Sequence, residues 1–306
     1  VTHFTQTATG QLLASGGFVG TGGNWINEGV IASDGALSLT LGGGYSGNGR
    51  ASSLGTLALT ASQLTIGSAA SIAGGARTDL NISGSATGYG RITSGANLIV
   101  NAGSLANYGT LGAAQALTVT TPVLSNQGLI FSGADMQLNS ATLTNLKGDF
   151  YSLRNLTVGG YGTARANQVS NISGSMESGG AFSVNATAFE NRTEGSDGTQ
   201  NFSVGRTLVK GFIAVQCIDC SGDHYEVNYI ARETFDAGED SDTTASSLLT
   251  AGGDFTFTGS TFLNSKSTVS AGGNISIQAD NVKNLGAVSG TVERTRTYYQ
   301  GRVTDG

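Results

Sequence analysis

Charge is scarce in this 306-residue chain: Asp, Glu, Lys and Arg make up 12% of it, about half the usual share. The net charge of −6 comes with no cluster of Lys or Arg, which excludes a nucleic-acid backbone or an anionic membrane surface as partner. Proline occurs once, tryptophan once and cysteine twice. No window approaches the ~18 consecutive apolar residues that a spanning helix needs, and no basic-then-apolar leader begins at Val1. A soluble segment without membrane insertion is therefore expected, with any export signal outside it. What the chain has instead is 48 glycines and 38% apolar residues. That mixture is too glycine-rich for an ordinary α/β enzyme, yet too apolar for a disordered chain.

The apolar residues recur in a fixed grammar. Successive rows such as SGANLIVNAGSLANYGTLG (94–112) and SGADMQLNSATLTNLKGDF (132–150) carry apolar residues at offsets 0, 2 and 7 and Asn at offset 9. Offset 0 falls at Leu98, Leu117, Met136, Phe182, Phe255 and Ile275, and offset 7 at Leu105, Leu124, Leu143, Phe189, Phe262 and Val282. Offset 9 falls at Asn107, Asn126, Asn145, Asn191, Asn264 and Asn284. Apolar spacing of 2 is the strand period, and a row of ~20 residues is too short for two helices. Such a coil cannot hide its own apolar side chains, but coils stacked at the inter-strand spacing of ~4.8 Å can pair with one another. The expected fold is all-β, a right-handed parallel β-helix of about a dozen coils, a rod on the order of 55–60 Å long.

Weaker rows extend the pattern. Phe18, Trp25 and Asn27 keep the offsets, whereas the rows at Leu37, Leu57 and Leu80 lose the Asn. The row at Leu156 reaches its Asn171 late, after a loop containing Tyr161, and another row begins at Phe202. Gly95, Gly133, Gly253 and Gly273 suit corners that need positive φ, and Pro122 falls where a corner is expected. The Asn column reads as an interior amide ladder. A ligand or metal role would need acidic or His neighbours, which the column lacks.

From Arg206 to Ser247 the grammar stops, and eight acidic residues face three basic ones. The boundaries expected are coils over 1–205, an off-axis β-hairpin and acidic loop over 206–249, resumed coils over 250–290 and a second strand excursion over 291–306. Segments 208–216 and 224–235 read as a hairpin, with 291–302 as a further strand partner. Tyr225, Tyr229, Arg232 and Phe235 are candidate contact residues of types enriched in binding hot spots, and Glu239, Asp240 and Asp242 would steer toward a basic surface. The loop around Tyr161 and the late rows are alternative surfaces.

Cys217 and Cys220 admit a local structural disulfide, a redox-active pair, or zinc with His224 as a third ligand. DAGEDSD (236–242) lacks the twelve-residue calcium loop and reads as a solvated loop. Ser221, Asp223 and His224 are triad residue types, but adjacency is not triad geometry. No cofactor, metal or catalytic residue is expected.

Rows SAGGNISIQADNVKNLG (270–286) and TAGGDFTFTGSTFLNSKSTVS (250–270) resemble the haemagglutinin repeats of two-partner-secreted exoproteins, the filamentous haemagglutinins and the CdiA-type contact-dependent growth inhibition effectors of Gram-negative bacteria. The resemblance covers most of the chain. It implies a monomeric, non-enzymatic segment of an extracellular, cell-surface filament, exported through an outer-membrane transporter partner and recognising an outer-membrane protein on a target bacterium. The alternatives are a passive stalk or host-cell adhesin segment and, more remotely, a β-helix polysaccharide-degrading enzyme. For the enzyme, the scattered offsets of Asp79, Asp135, Asp149, Glu177, Glu190, Asp254 and Asp280 supply no common acidic face.

Overall fold

The computed structural model describes residues 1–198, 205–208, 213–219, 224–237, 242–287 and 290–304. They belong to two units, one of Val1–Gly198 with Thr244–Leu285 and one of Thr199–Thr243 with Gly286–Gly306. The first unit is a β-solenoid of about 12 coils, without a helix. Each complete coil contributes three strand segments. First and second segments stack in an 18-stranded sheet and third segments in an 11-stranded one, and the strands within both sheets pair in parallel.

One coil shows how the sequence makes the shape. Strand Asn97–Asn107 carries its first and second segments and Thr110–Ala113 its third. Leu98, Val100, Leu105 and Leu111 point inward and are buried. Full burial of such side chains stabilises by roughly 1.5–3 kcal/mol each, but the burial exists only because coils lie above and below. The register is strict: Leu98 faces Leu117, Leu117 faces Met136, and Met136 faces Leu156. Leu156 in turn faces Phe182, which faces Phe255 and then Ile275.

The end of the second segment forms the amide ladder. Each Asn donates one Nδ2–H to the Oδ1 of the next, from Asn107 to Asn126, Asn145, Asn171, Asn191, Asn264 and Asn284, at 2.8–2.9 Å. The other Nδ2–H goes to backbone carbonyls at the following corner; that of Asn145 reaches the oxygens of Gly148 and Ser175. Asn171 enters the ladder because the Tyr161 loop bulges out before the second segment, and strand Ala166–Ile172 returns in register with its neighbours. Toward the N-terminus the column continues as Gly88, Ile66, Gly47, Asn27 and Gln6. There Asn27 Nδ2 donates instead to the buried Tyr45 hydroxyl at 3.0 Å. Burial pushes the Tyr45 phenol up to about 12. Gly47, at φ 122°, is obligatory, since a Cβ would sit 2.0 Å from the Asn27 carbonyl oxygen.

A second polar column, not read from the repeat, ends the third segment. Ser33, Ser53, Ser94, Ser132, Ser152 and Ser178 are buried along one register line. Five of the hydroxyls donate to carbonyls of adjoining turns, as Ser132 Oγ does to the Ala134 oxygen at 2.8 Å and Ser178 Oγ to the Gly180 oxygen at 2.9 Å, while Ser94 Oγ accepts from Ala96 N. The corner glycines differ from expectation. Gly95, Gly133, Gly253 and Gly273 do not have positive φ, which among the described residues occurs at Gly47, Gly162 and Gly198 and at the non-glycines Lys147, Ser173 and Lys266. Close approach between coils explains the choice, because a Cβ on Gly95 would lie 2.2 Å from the Gly75 oxygen and one on Gly133 2.1 Å from the Ala114 oxygen.

The coil boundaries differ too. The solenoid leaves its stack after Gly198 rather than 205, and its third segment resumes at Leu248–Ala251. Phe202–Val204 lie outside the described residues, and the coil expected there has no place in the stack because Phe182 faces Phe255 directly. The second unit is a four-stranded antiparallel sheet. His224–Ala237 is central, with Gly205–Leu208 and Ile213–Asp219 along one edge and Gly290–Thr304 along the other. The stretch read as a single strand over 208–216 is thus divided between two.

Asn145→Ala removes the acceptor of Asn126 and the donors to two carbonyls. It is expected to cost about 2–4 kcal/mol, seen as a lower urea midpoint, whereas the same change at the terminal Asn284 costs less than about 1 kcal/mol. The Tyr45 phenol is neutral in the folded state up to about 12 but ionises near 10 when unfolded. Stability contributed by the neutral phenol is therefore full below pH ~10 and falls as pH rises through that window. Alkaline melts of Tyr45→Phe are expected to lack this component, while the variant loses about 1 kcal/mol at neutral pH.

Candidate recognition surfaces

The contact residues expected from the sequence fall in the second unit. Tyr225, Tyr229, Arg232 and Phe235 all belong to its central strand, opposite Val303, Tyr298, Thr295 and Val292. Cys217 lies in Ile213–Asp219, opposite Val227. Cys220, Ser221, Asp223, Glu239 and Asp240 lie outside the described residues, and so does the choice among disulfide, redox pair and zinc. Asp242 is half-buried just ahead of the returning solenoid chain.

The coil from which this unit departs closes as though nothing had been inserted. Asn191 donates to Asn264 across 73 residues of sequence, and Phe189 stacks on Phe262 with centroids 5.2 Å apart. Phe182 meets Phe255 edge-on at 5.6 Å; such aromatic pairs add about 0.5–1.5 kcal/mol beyond area burial. The two chain ends at the departure point are pinned to the solenoid. Ser173 Oγ donates to the Ala245 oxygen at 2.7 Å and accepts from Glu194 N at 2.9 Å, while Gly195 N donates to Thr244 Oγ1 at 3.0 Å. Ser247 Oγ donates to the oxygens of Asn171 and Arg192, and Lys147 Nζ pairs with Glu194 at 2.6 Å. These bonds all join residues of the first unit, so the coil closes through its own side chains and backbone.

Two further exposed surfaces lie on the solenoid itself. At the corner leading into the third side, Tyr89 and Tyr108 stack with centroids 4.8 Å apart and planes 9° from parallel, both exposed. Leu129 and Tyr151 are exposed nearby in the register. Phe131 lies flat over Gly112, where a Cβ would come within 2.0 Å of the ring; glycine there is a seat for the aromatic ring. The row grammar describes inward positions only, so this outward strip escapes it. The second surface is the first side, with the Tyr161 loop.

Among the described residues no group of three His, Cys, Asp or Glu converges. The acids nearest each other across adjacent third segments are Asp149 and Glu177. Partial burial, and secondly the charge of Glu177, hold the Asp149 carboxyl above its ordinary range. Glu177 meanwhile accepts a hydrogen bond from Ser175 Oγ. No protein-family model, curated protein or solved structure matches this chain.

Asp149→Asn tests the electrostatics of this side. Because the folded pKa of Asp149 is raised, its charge weakens the fold at neutral pH, and stability returns as pH falls through that raised value toward the unfolded one. The variant is expected to melt slightly higher than wild type at pH 7, by a fraction of about 1 kcal/mol given the exposure. The difference should vanish below about pH 3.

Proposed function

We propose that the chain is a receptor-recognising segment of an extracellular filament from a two-partner-secreted exoprotein of the contact-dependent growth inhibition type. In this proposal the second unit meets an outer-membrane protein of a target bacterium. The observation carrying this reading is the closed coil at the insertion: the Asn ladder, the phenylalanine stack and the serine pins hold together without the inserted residues. A stalk kept for length alone gains nothing from interrupting one coil with Thr199–Thr243. The interruption instead frees a sheet whose central strand carries Tyr225, Tyr229, Arg232 and Phe235, residue types that dominate binding energy. The resemblance of the rows to haemagglutinin repeats supports export to the cell surface.

A passive stalk or host-cell adhesin segment is the second reading, favoured by the near-uncharged and regular outward face of the first side. One experiment separates the two. A variant lacking 199–243 and 286–306, with Gly198 joined to Thr244 by a short Gly-Ser linker, is expected to keep a cooperative melt. It is expected to lose at least about tenfold in binding to susceptible cells. Unchanged binding would transfer the interaction to the solenoid or leave the segment a spacer.

A further inference from the structure

The outward face of the solenoid's first side differs in chemistry from an ordinary protein surface. Each of the eleven first segments presents two residues outward on either side of its middle inward residue, 22 positions in all, and the longer segments add Thr56, Arg77 and Asn97 at their starts. Of the 22, Asp79 alone is charged, and Arg77 Nε pairs with it at 2.7 Å. One of the two outward lines runs Thr40, Thr60, Asn81, Asn101, Thr120 and Asn139, each facing the next. The groups bond along the rod, Asn101 Nδ2 to Asn81 Oδ1 at 2.9 Å and Asn139 Nδ2 to Thr120 Oγ1 at 3.3 Å. Each amide nitrogen carries two protons and each hydroxyl both donates and accepts, so capacity remains on the solvent side.

Two hollows lie on this face, one on each side of the loop Gly160–Arg165. The first, about 570 Å³, spans five coils from Leu41 to Thr120 and has Tyr161 in its wall. The second, about 310 Å³, is lined by neutral polar side chains, including Gln137, Asn139, Thr163, Asn185 and Thr258. The loop is fastened rather than loose: Thr163 Oγ1 donates to the Arg165 oxygen at 2.9 Å and Arg165 Nε donates to Asn185 Oδ1 at 3.1 Å. It holds the Tyr161 ring, 44% exposed, against the hollow. From the coil at Leu37 to the coil at Phe255 the face runs about 40 Å at the inter-strand spacing.

We propose that this face binds an uncharged polysaccharide lying along the solenoid axis, with Tyr161 stacking on the apolar face of a sugar ring. The chemistry selects the ligand. An anionic polymer needs a row of Lys or Arg to neutralise it, and this face offers only Arg77, paired with Asp79, and Arg165 of the loop, bonded to Asn185. An apolar partner would leave the hydroxyls and amides desolvated without partners, which is costly. A chain of neutral hydroxyls returns a donor or acceptor to every one of them. A linear repeating polymer is also the ligand shape that a surface repeating once per coil can meet many times, so weak single contacts add. This proposal is independent of the second unit.

The test titrates the whole 306-residue chain calorimetrically with cellohexaose, laminarihexaose, maltohexaose and mannohexaose, with heparin as the anionic comparison. At least one neutral hexaose is expected to bind at concentrations below about 1 mM, with an affinity that changes less than about twofold between about 0.05 and 0.5 M NaCl. Tyr161→Ala, on an exposed loop that leaves the core intact, is expected to weaken it roughly tenfold without moving the melting temperature. Asn101→Ala should weaken it by a smaller factor. Heparin binding alone, no binding by any neutral hexaose, or an unaltered affinity in Tyr161→Ala would each overturn the proposal.

Discussion

Every feature of this protein depends on one coil being incomplete without the next. About 20 residues enclose too little volume to bury Leu98, Val100, Leu105 and Leu111 unless Leu117 and its row lie directly on them. Backbone pairing supplies the attraction between coils but tolerates sliding; the Asn column fixes the register. A shift of one residue would turn each Asn outward and bring its polar neighbour in, breaking an amide bond and a carbonyl bond in every coil. The serine column does the same for the third side. The composition follows from that arrangement: charges cannot enter the interior and add little to faces that repeat at strand spacing. Glycine is needed wherever the corner of one coil nearly touches the carbonyl of the corner beside it.

The coil architecture was legible because its signal is periodic. Offsets 0, 2, 7 and 9 are the inward positions of the first and second segments, and all six Asn picked out by the rows stand in the ladder. Asn171 sits in it as well, although the Tyr161 loop displaces it in sequence, because pairing between strands responds to register rather than chain distance. The serine line was not legible, since Ser before Gly is common in any glycine-rich chain and its meaning lies in carbonyls two or three residues away. The corner glycines were legible by position and not by cause, as conformational freedom and lack of a Cβ leave the same letter. For the recognition surfaces, composition marked 206–247 as a departure and paired its strands with the C-terminal one. It did not mark Phe131 over Gly112, or the Tyr89–Tyr108 stack, which arise only when rows are laid side by side.

The functional account follows the same division between obligation and freedom. Inward positions are constrained by packing and by the two polar columns. Outward positions of the solenoid are not, so their chemistry is free to vary. The uncharged first side and the aromatic strip beside the third side are two chemically different surfaces of the solenoid, and the antiparallel sheet belongs to the other unit. A stack held in register through many coils keeps the solenoid's own surfaces at fixed spacing.

The central claim is that the coil before the insertion lies directly on the coil after it. Asn185 and Thr258 face each other across that junction, as neighbouring parallel strands ~4.8 Å apart, inside the Cα range of a disulfide. Under mild oxidation the double variant Asn185→Cys with Thr258→Cys is predicted to form that bond, recovered by mass spectrometry as one linked peptide pair, in a protein that melts at or above the wild-type temperature. Failure to form it, while Asn185→Cys links instead to a cysteine placed at Phe202, would contradict the stack.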